Sequence, residues 1–101
     1  MEGRETMKLI STTIKAVWLD KIESGEKKSE LKKAKKHWKK RLQPLVGRDY
    51  NIQITFVCGR NRIVKYKVRY VEFHSDQAHP KDIDGELVTE WYEIHLGEKI
   101  E

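Results

Sequence analysis

An α+β fold is predicted by three features of this sequence. Apolar residues alternate with polar ones at Ile52, Ile54 and Phe56, along Val64 to Tyr70, and again at Tyr92, Ile94 and Leu96. That two-residue period belongs to half-buried strands. Apolar residues recur at helical spacing at Ile14, Val17, Trp18 and Ile22, and at Ala34, Trp38 and Leu42. Glycine and proline separate these segments. About five short strands and one or two helices fit a chain of 101 residues with one modest core. The sequence predicts a single domain over residues 7–97, with 1–6 and 98–101 as flexible ends.

The elements follow in order. Leu9 to Ser11 begins a short strand. Thr12 or Thr13 offers a hydroxyl to cap a helix over Thr13 to Ser24. Trp18 falls within the apolar stripe and is expected in the core, although an indole also serves as a stacking platform for a base. Gly25 suits the residue after the helix, where positive φ is needed. A strand then runs through Leu31. Lys32 to Leu42 contains seven Lys or Arg among eleven residues, with Ala34, Trp38 and Leu42 as a narrow apolar stripe. Pro44 stops that helix. The segment from Val46 to Asp49 reads as a turn, and Cys58 to Arg62 holds the turn of a hairpin. On the return strand, Val64, Tyr66, Val68 and Tyr70 share one face, and Lys65, Lys67 and Arg69 share the other. His74 to Glu86 lacks periodicity and reads as a loop. Trp91 to Leu96 closes the sheet, followed by a frayed tail from Gly97.

Charge is distributed unevenly. Residues 8–69 carry 18 Lys/Arg against 5 Asp/Glu, whereas residues 70–101 carry 2 against 9. Such a field steers a polyanion to one side of the molecule. Like charges four apart, Lys35 with Lys39 and Lys36 with Lys40, repel in an isolated helix. Phosphates would relieve that repulsion; so would an acidic protein partner. The acidic end also offers a surface for the basic half of a second copy, and the sequence leaves the oligomeric state open.

Cys58 is the single cysteine, so an internal disulfide and a thiolate zinc site are both excluded. A reducing, cytoplasmic setting is expected. No run of eighteen apolar residues exists for a membrane-spanning helix. His74 and His79 flank Asp76, but no third ligand stands at a fixed spacing, so neither a metal nor another cofactor is expected. Phosphate-binding and nucleophile-elbow motifs are absent. Ser29 lies near Lys27, yet strand alternation puts it opposite Glu30, beside Leu31, and hence toward the core.

The stretch around Gly25 carries the most chemistry. In Gly25-x-Lys27-x-x-Glu30-x-Lys32, alternation sends Glu30 and Lys32 to one face, and the turn swings Lys27 round to meet them. Read from spacing alone, these charges describe a solvated strand edge that resists aggregation.

The same stretch resembles the G-x-K-x-x-E-x-R signature of the ASCH family, and the preceding strand and helix match that family's context. The likeness is strongest from Met7 to Leu31. It implies a PUA-like fold, a small mixed β-barrel with flanking helices, and a ligand cleft beside the barrel. ASCH domains are proposed to bind RNA. By that likeness Lys27 and Lys32 would hold phosphate or a base edge, with Lys35, Lys36, Lys39, Lys40, Arg41, Lys65, Lys67 and Arg69 supplying the field. Some small members are amidohydrolases acting on the nucleoside N4-acetylcytidine, and others are ribonucleases. On that alternative Lys27 and Glu30 would be catalytic, with Glu30 as a general base toward water. Two departures stand out. Lys32 replaces the family arginine and loses its two-pronged grip, and Glu30 stands where the amidohydrolases carry a threonine nucleophile. A protein-interaction module with an acidic partner is the third reading.

Overall fold

The computed structural model describes residues 7–48, 50–75 and 89–100. Seven elements of regular structure are formed in chain order: β1 (Met7–Thr13), α1 (Ala16–Glu23), β2 (Ser29–Lys33), α2 (Lys36–Leu42), β3 (Asn51–Cys58), β4 (Arg62–Ser75) and β5 (Glu90–Lys99). A short 3-10 turn, Gln43–Leu45, extends α2 around Pro44. The strands form one mixed sheet in the order β1-β3-β4-β5-β2, with β1 parallel to β3 and every other pairing antiparallel. Both helices lie on the same side, and Leu19, Ile22 and Leu42 join Ile10, Ile54, Phe56, Tyr92 and Ile94 in the core.

The α+β class and the five strands are as the periodicity predicts. The expected barrel closure is not. β1 and β2 are the two ends of the sheet and do not pair with each other among the described residues. The helices and the side chains they carry occupy the gap between these edges, so a cleft stands where closure would have run.

Other differences have local causes. Helix α1 begins at Ala16, with Lys15 extended as its cap residue, because Thr12 and Thr13 pair with Phe56 and Val57 in the sheet. β-branched residues favour that pleated setting. The buried face of α1 is accordingly Leu19 and Ile22, while Val17 is exposed and Trp18 only half-buried. On β4 the alternation Val64, Tyr66, Val68 breaks before Tyr70. A register irregularity between Val68 and Tyr70 lets Val71 take the next inward position and turns Tyr70 out. β5 continues to Lys99, and Ile100 donates its backbone N–H to the Lys65 carbonyl, so residues 98–100 extend the sheet rather than fraying. The loop with Asp76 and His79, the turn residue Asp49 and residues 1–6 lie outside the described residues.

Glu23, at the end of α1, ties the helix to the sheet. Its carboxylate accepts from Lys99 Nζ at 2.6 Å and from Arg62, which also pairs with Asp20 at 2.8 Å. Hydrogen bonds from Lys99 and then Arg62 hold the Glu23 carboxyl below the usual carboxylate range, against the opposing effect of desolvation. A lowered folded value means that this stabilisation is complete above the unfolded value, about 4.3. It is lost as pH falls through the folded value. Urea unfolding midpoints should therefore drop as pH falls below about 5, and Glu23→Gln should show a shallower drop there. Equal slopes in the two proteins would remove Glu23 from the account.

Candidate functional site

The turn between α1 and β2 positions the site. Gly25 has φ of +86° and an open surrounding, so the constraint there is backbone conformation, not space. Its N–H donates to the Ile22 carbonyl, and the Lys27 N–H reaches back to the Lys21 carbonyl at 2.9 Å. The chain is thereby folded over the helix end, and Lys27 is brought beneath the first residues of β2.

Glu30 is the centre of the arrangement. It points to the helix side of the sheet from an edge strand and is 8% exposed. Lys27 Nζ lies 3.9 Å from one carboxylate oxygen and Lys32 Nζ 3.3 Å from the other. Each of these ammonium groups also lies over an indole. Lys27 is 5.6 Å from the Trp18 ring centre and Lys32 is 5.1 Å from that of Trp38. One carboxylate thus joins two lysines, and each lysine engages a tryptophan from a different helix.

These residues border a cleft of about 510 Å³ lined by both ends of the sheet. β1 and the start of α1 contribute Thr13, Ile14, Lys15 and Trp18, while β2 and the start of α2 contribute Glu30, Lys32, Lys35 and Trp38. Lys33 and Leu31 add to the lining, which among the described residues sets four lysines against one acidic side chain. Lys27 backs Glu30 but faces a smaller hollow of about 350 Å³ on the other side of Gly25. The cleft combines positive charge with two aromatic surfaces. Its chemistry suits an anionic ligand with a planar ring.

The structure brings together some of the sequence-predicted residues and separates others. Lys27, Glu30 and Lys32 form the expected cluster, and Lys35 lines the same cleft. Lys36, Lys39, Lys40 and Arg41 lie exposed on α2, because Ala34, Trp38 and Leu42 turn inward as their spacing requires. Lys65, Lys67 and Arg69 alternate with buried Val64, Tyr66 and Val68, so they project from the opposite side of the sheet. Lys67 there pairs with Glu98 at 3.8 Å. Trp18 lines the cleft instead of the core. Ser29 is on the face opposite Glu30, but that face is polar: its hydroxyl donates to Glu93 Oε2 at 2.7 Å.

That hydroxyl belongs to a second cluster that spacing analysis missed. Glu72 and His74 on β4 meet Glu93 and His95 on β5. Burial alone would raise the Glu93 carboxyl, but hydrogen bonds from Ser29 and His74 and the nearby histidine charges bring it below the usual carboxylate range. The signal in the sequence is a repeated five-residue pattern, aromatic-x-Glu-x-His, at Tyr70 to His74 and Trp91 to His95.

Comparison with protein-family models, with curated proteins and with solved structures finds no match for this chain.

The Glu30 cluster makes a prediction that depends only on its geometry. Removing both cations, by Lys27→Met with Lys32→Met, leaves a buried carboxylate without its two observed partners. The loss should be on the order of 3–5 kcal/mol in urea unfolding, as for other broken buried pairs. Adding Glu30→Gln to the double variant should recover most of that loss. A double variant within about 1 kcal/mol of the parent would contradict the proposed dependence.

Proposed function

We propose that the chain is a single-stranded RNA-binding module of ASCH type, related to the PUA-like folds, that takes its ligand in the cleft between β1 and β2. The observation that carries this reading is the pairing of cations and indoles around Glu30. Lys15, Lys32 and Lys35 would meet phosphate, while Trp18 and Trp38 would stack on bases. Glu30 and Lys32 of the motif line this cleft and Lys27 backs Glu30 from the neighbouring hollow, which supports the resemblance. Lys35 and Trp38 at the start of α2 line the cleft, so the exposed Lys36, Lys39, Lys40 and Arg41 of the same helix would extend the contact to further phosphates. The Lys65, Lys67 and Arg69 stripe has no part in this path, because it lies across the sheet from the cleft.

Binding is favoured over hydrolysis by the state of Glu30. Each of its oxygens has an ammonium neighbour. It serves to space and orient the two lysines, not to present a free carboxylate to water. The acidic-partner reading shares the electrostatics of α2 but leaves the two cleft indoles without a role.

The two contributions separate experimentally. Phosphate contacts release counterions, so the log–log salt slope for a labelled single strand should be about −0.7 per contact, or roughly −3 for four. Lys36→Ala with Lys40→Ala should make the slope shallower by about 1.4. Trp18→Ala should weaken binding by about 1–3 kcal/mol at unchanged slope, as expected for loss of one stacked base. Lys65→Ala with Lys67→Ala should change neither quantity. No binding at low salt, or a wild-type slope near zero, would contradict the proposal and leave an acidic protein as the better partner.

A further inference from the structure

We infer that Glu72, His74 and Glu93 form a binding site for one divalent transition-metal ion of the zinc type, with His95 beside it as a positioning residue, on the sheet face away from the cleft. The site is built by register. In the β4–β5 ladder Glu72 stands directly opposite Glu93, with His74 opposite Trp91 and Tyr70 opposite His95. The two strands run antiparallel and carry the same aromatic-x-Glu-x-His order. Each histidine therefore lies diagonally beside the other strand's glutamate, in an approximately two-fold arrangement.

Two glutamates directly opposite on one sheet face repel unless a cation lies between them. Four histidine-to-glutamate distances describe the space available. His74 Nε2 is 3.4 Å from Glu72 Oε1 and 3.0 Å from Glu93 Oε1. His95 Nε2 is 2.9 Å from Glu72 Oε1 and 3.5 Å from Glu93 Oε1. In a tetrahedral zinc site with bonds of 2.0–2.2 Å, neighbouring ligand atoms are about 3.3 Å apart. The two His74 distances, 3.4 and 3.0 Å, bracket that value. Ligand atoms of Glu72, His74 and Glu93 all lie within 4.8 Å of one another, so these three form the site, and His95 orients Glu72 from its other side through a 2.9 Å hydrogen bond.

The supporting contacts are those expected around a metal. Ser29 Oγ donates to Glu93 Oε2 at 2.7 Å, which leaves Oε1 directed at the histidines. The His95 ring stacks on Tyr70 with centres 4.1 Å apart, and the His74 ring stacks on Trp91 at 5.2 Å. These neighbours hold the ligands in place before an ion arrives. Access remains through Glu72, whose side chain is 46% exposed, while His74 and Glu93 are 18% and 26% exposed. An imidazole with two carboxylates favours zinc and its first-row neighbours over calcium or magnesium, which prefer all-oxygen shells.

The test is calorimetric titration of the untagged full chain with zinc chloride, in a non-coordinating buffer, repeated with magnesium. One zinc ion per chain with a micromolar or tighter dissociation constant is expected, with no saturable magnesium binding. His74→Ala and Glu72→Gln should each weaken zinc at least about tenfold, and Ser29→Ala should weaken it by about tenfold through Glu93. His37→Ala, which alters an exposed histidine on α2, should leave affinity unchanged. Glu72→Gln changes an exposed side chain, so a misfolded His74 variant would not obscure the result. Cobalt in place of zinc should give the intense visible absorption of a four-coordinate ion. Failure of zinc to saturate, or equal affinity in the parent and Glu72→Gln, would overturn the assignment and leave a histidine–glutamate hydrogen-bond network.

Discussion

A carboxylate turned inward from an edge strand has to be answered by cations, and much of this molecule is arranged around that requirement. Glu30 is buried, yet among the described residues its strand has a neighbour on one side only. Lys32 comes from two residues along the same strand, where alternation places it on the same face. Lys27 arrives from the turn, which needs Gly25 in a left-handed conformation. The two ammonium groups then draw Trp18 and Trp38 to the same cleft. A short charged sequence thereby fixes where two helices present their indoles.

That cluster also accounts for the open sheet. Closing β1 onto β2 would replace the cleft with a ladder and force charged side chains into a dry seam. The burial of unpaired charge is far more costly than leaving two strand edges without partners. The edges are instead bordered by α1, α2 and lysine side chains, which discourage pairing with another chain. The molecule's two faces consequently differ in chemistry. The helix side carries the cleft with its lysines and two indoles, and the far side carries the Lys65, Lys67 and Arg69 stripe together with the histidine–glutamate cluster of β4 and β5.

Much of this was legible in the sequence, for identifiable reasons. Strand alternation located β3, β4 and β5, and the Ala34–Trp38–Leu42 spacing gave the correct buried face of α2. The motif from Gly25 to Lys32 gave the grouping of Lys27, Glu30 and Lys32. Periodicity failed where the backbone changed its phase. Thr12 and Thr13 read as helix caps but are taken into β1 by pairing with β3, which rotates the buried face of α1 and moves Trp18 to the cleft. The irregularity after Val68 reverses the faces of β4, so Tyr70, Glu72 and His74 emerge together. The His–Glu cluster was hidden for a further reason: its members lie about twenty residues apart and meet only through register. Sequence spacing pairs His74 with His79, whereas its partners across the ladder are Trp91 and Glu93.

The three tryptophans allow a direct test of the central claim, that ligand enters the cleft organised by Glu30. Trp18 and Trp38 line it, and Trp91 lies on the far side of the sheet beneath His74. In nitrogen-15 spectra each indole N–H gives its own peak. Titration with a short single-stranded RNA should shift the Trp18 and Trp38 peaks together and leave Trp91 in place. Movement of Trp91 alone, or of none of the three while binding is seen by another method, would contradict the account.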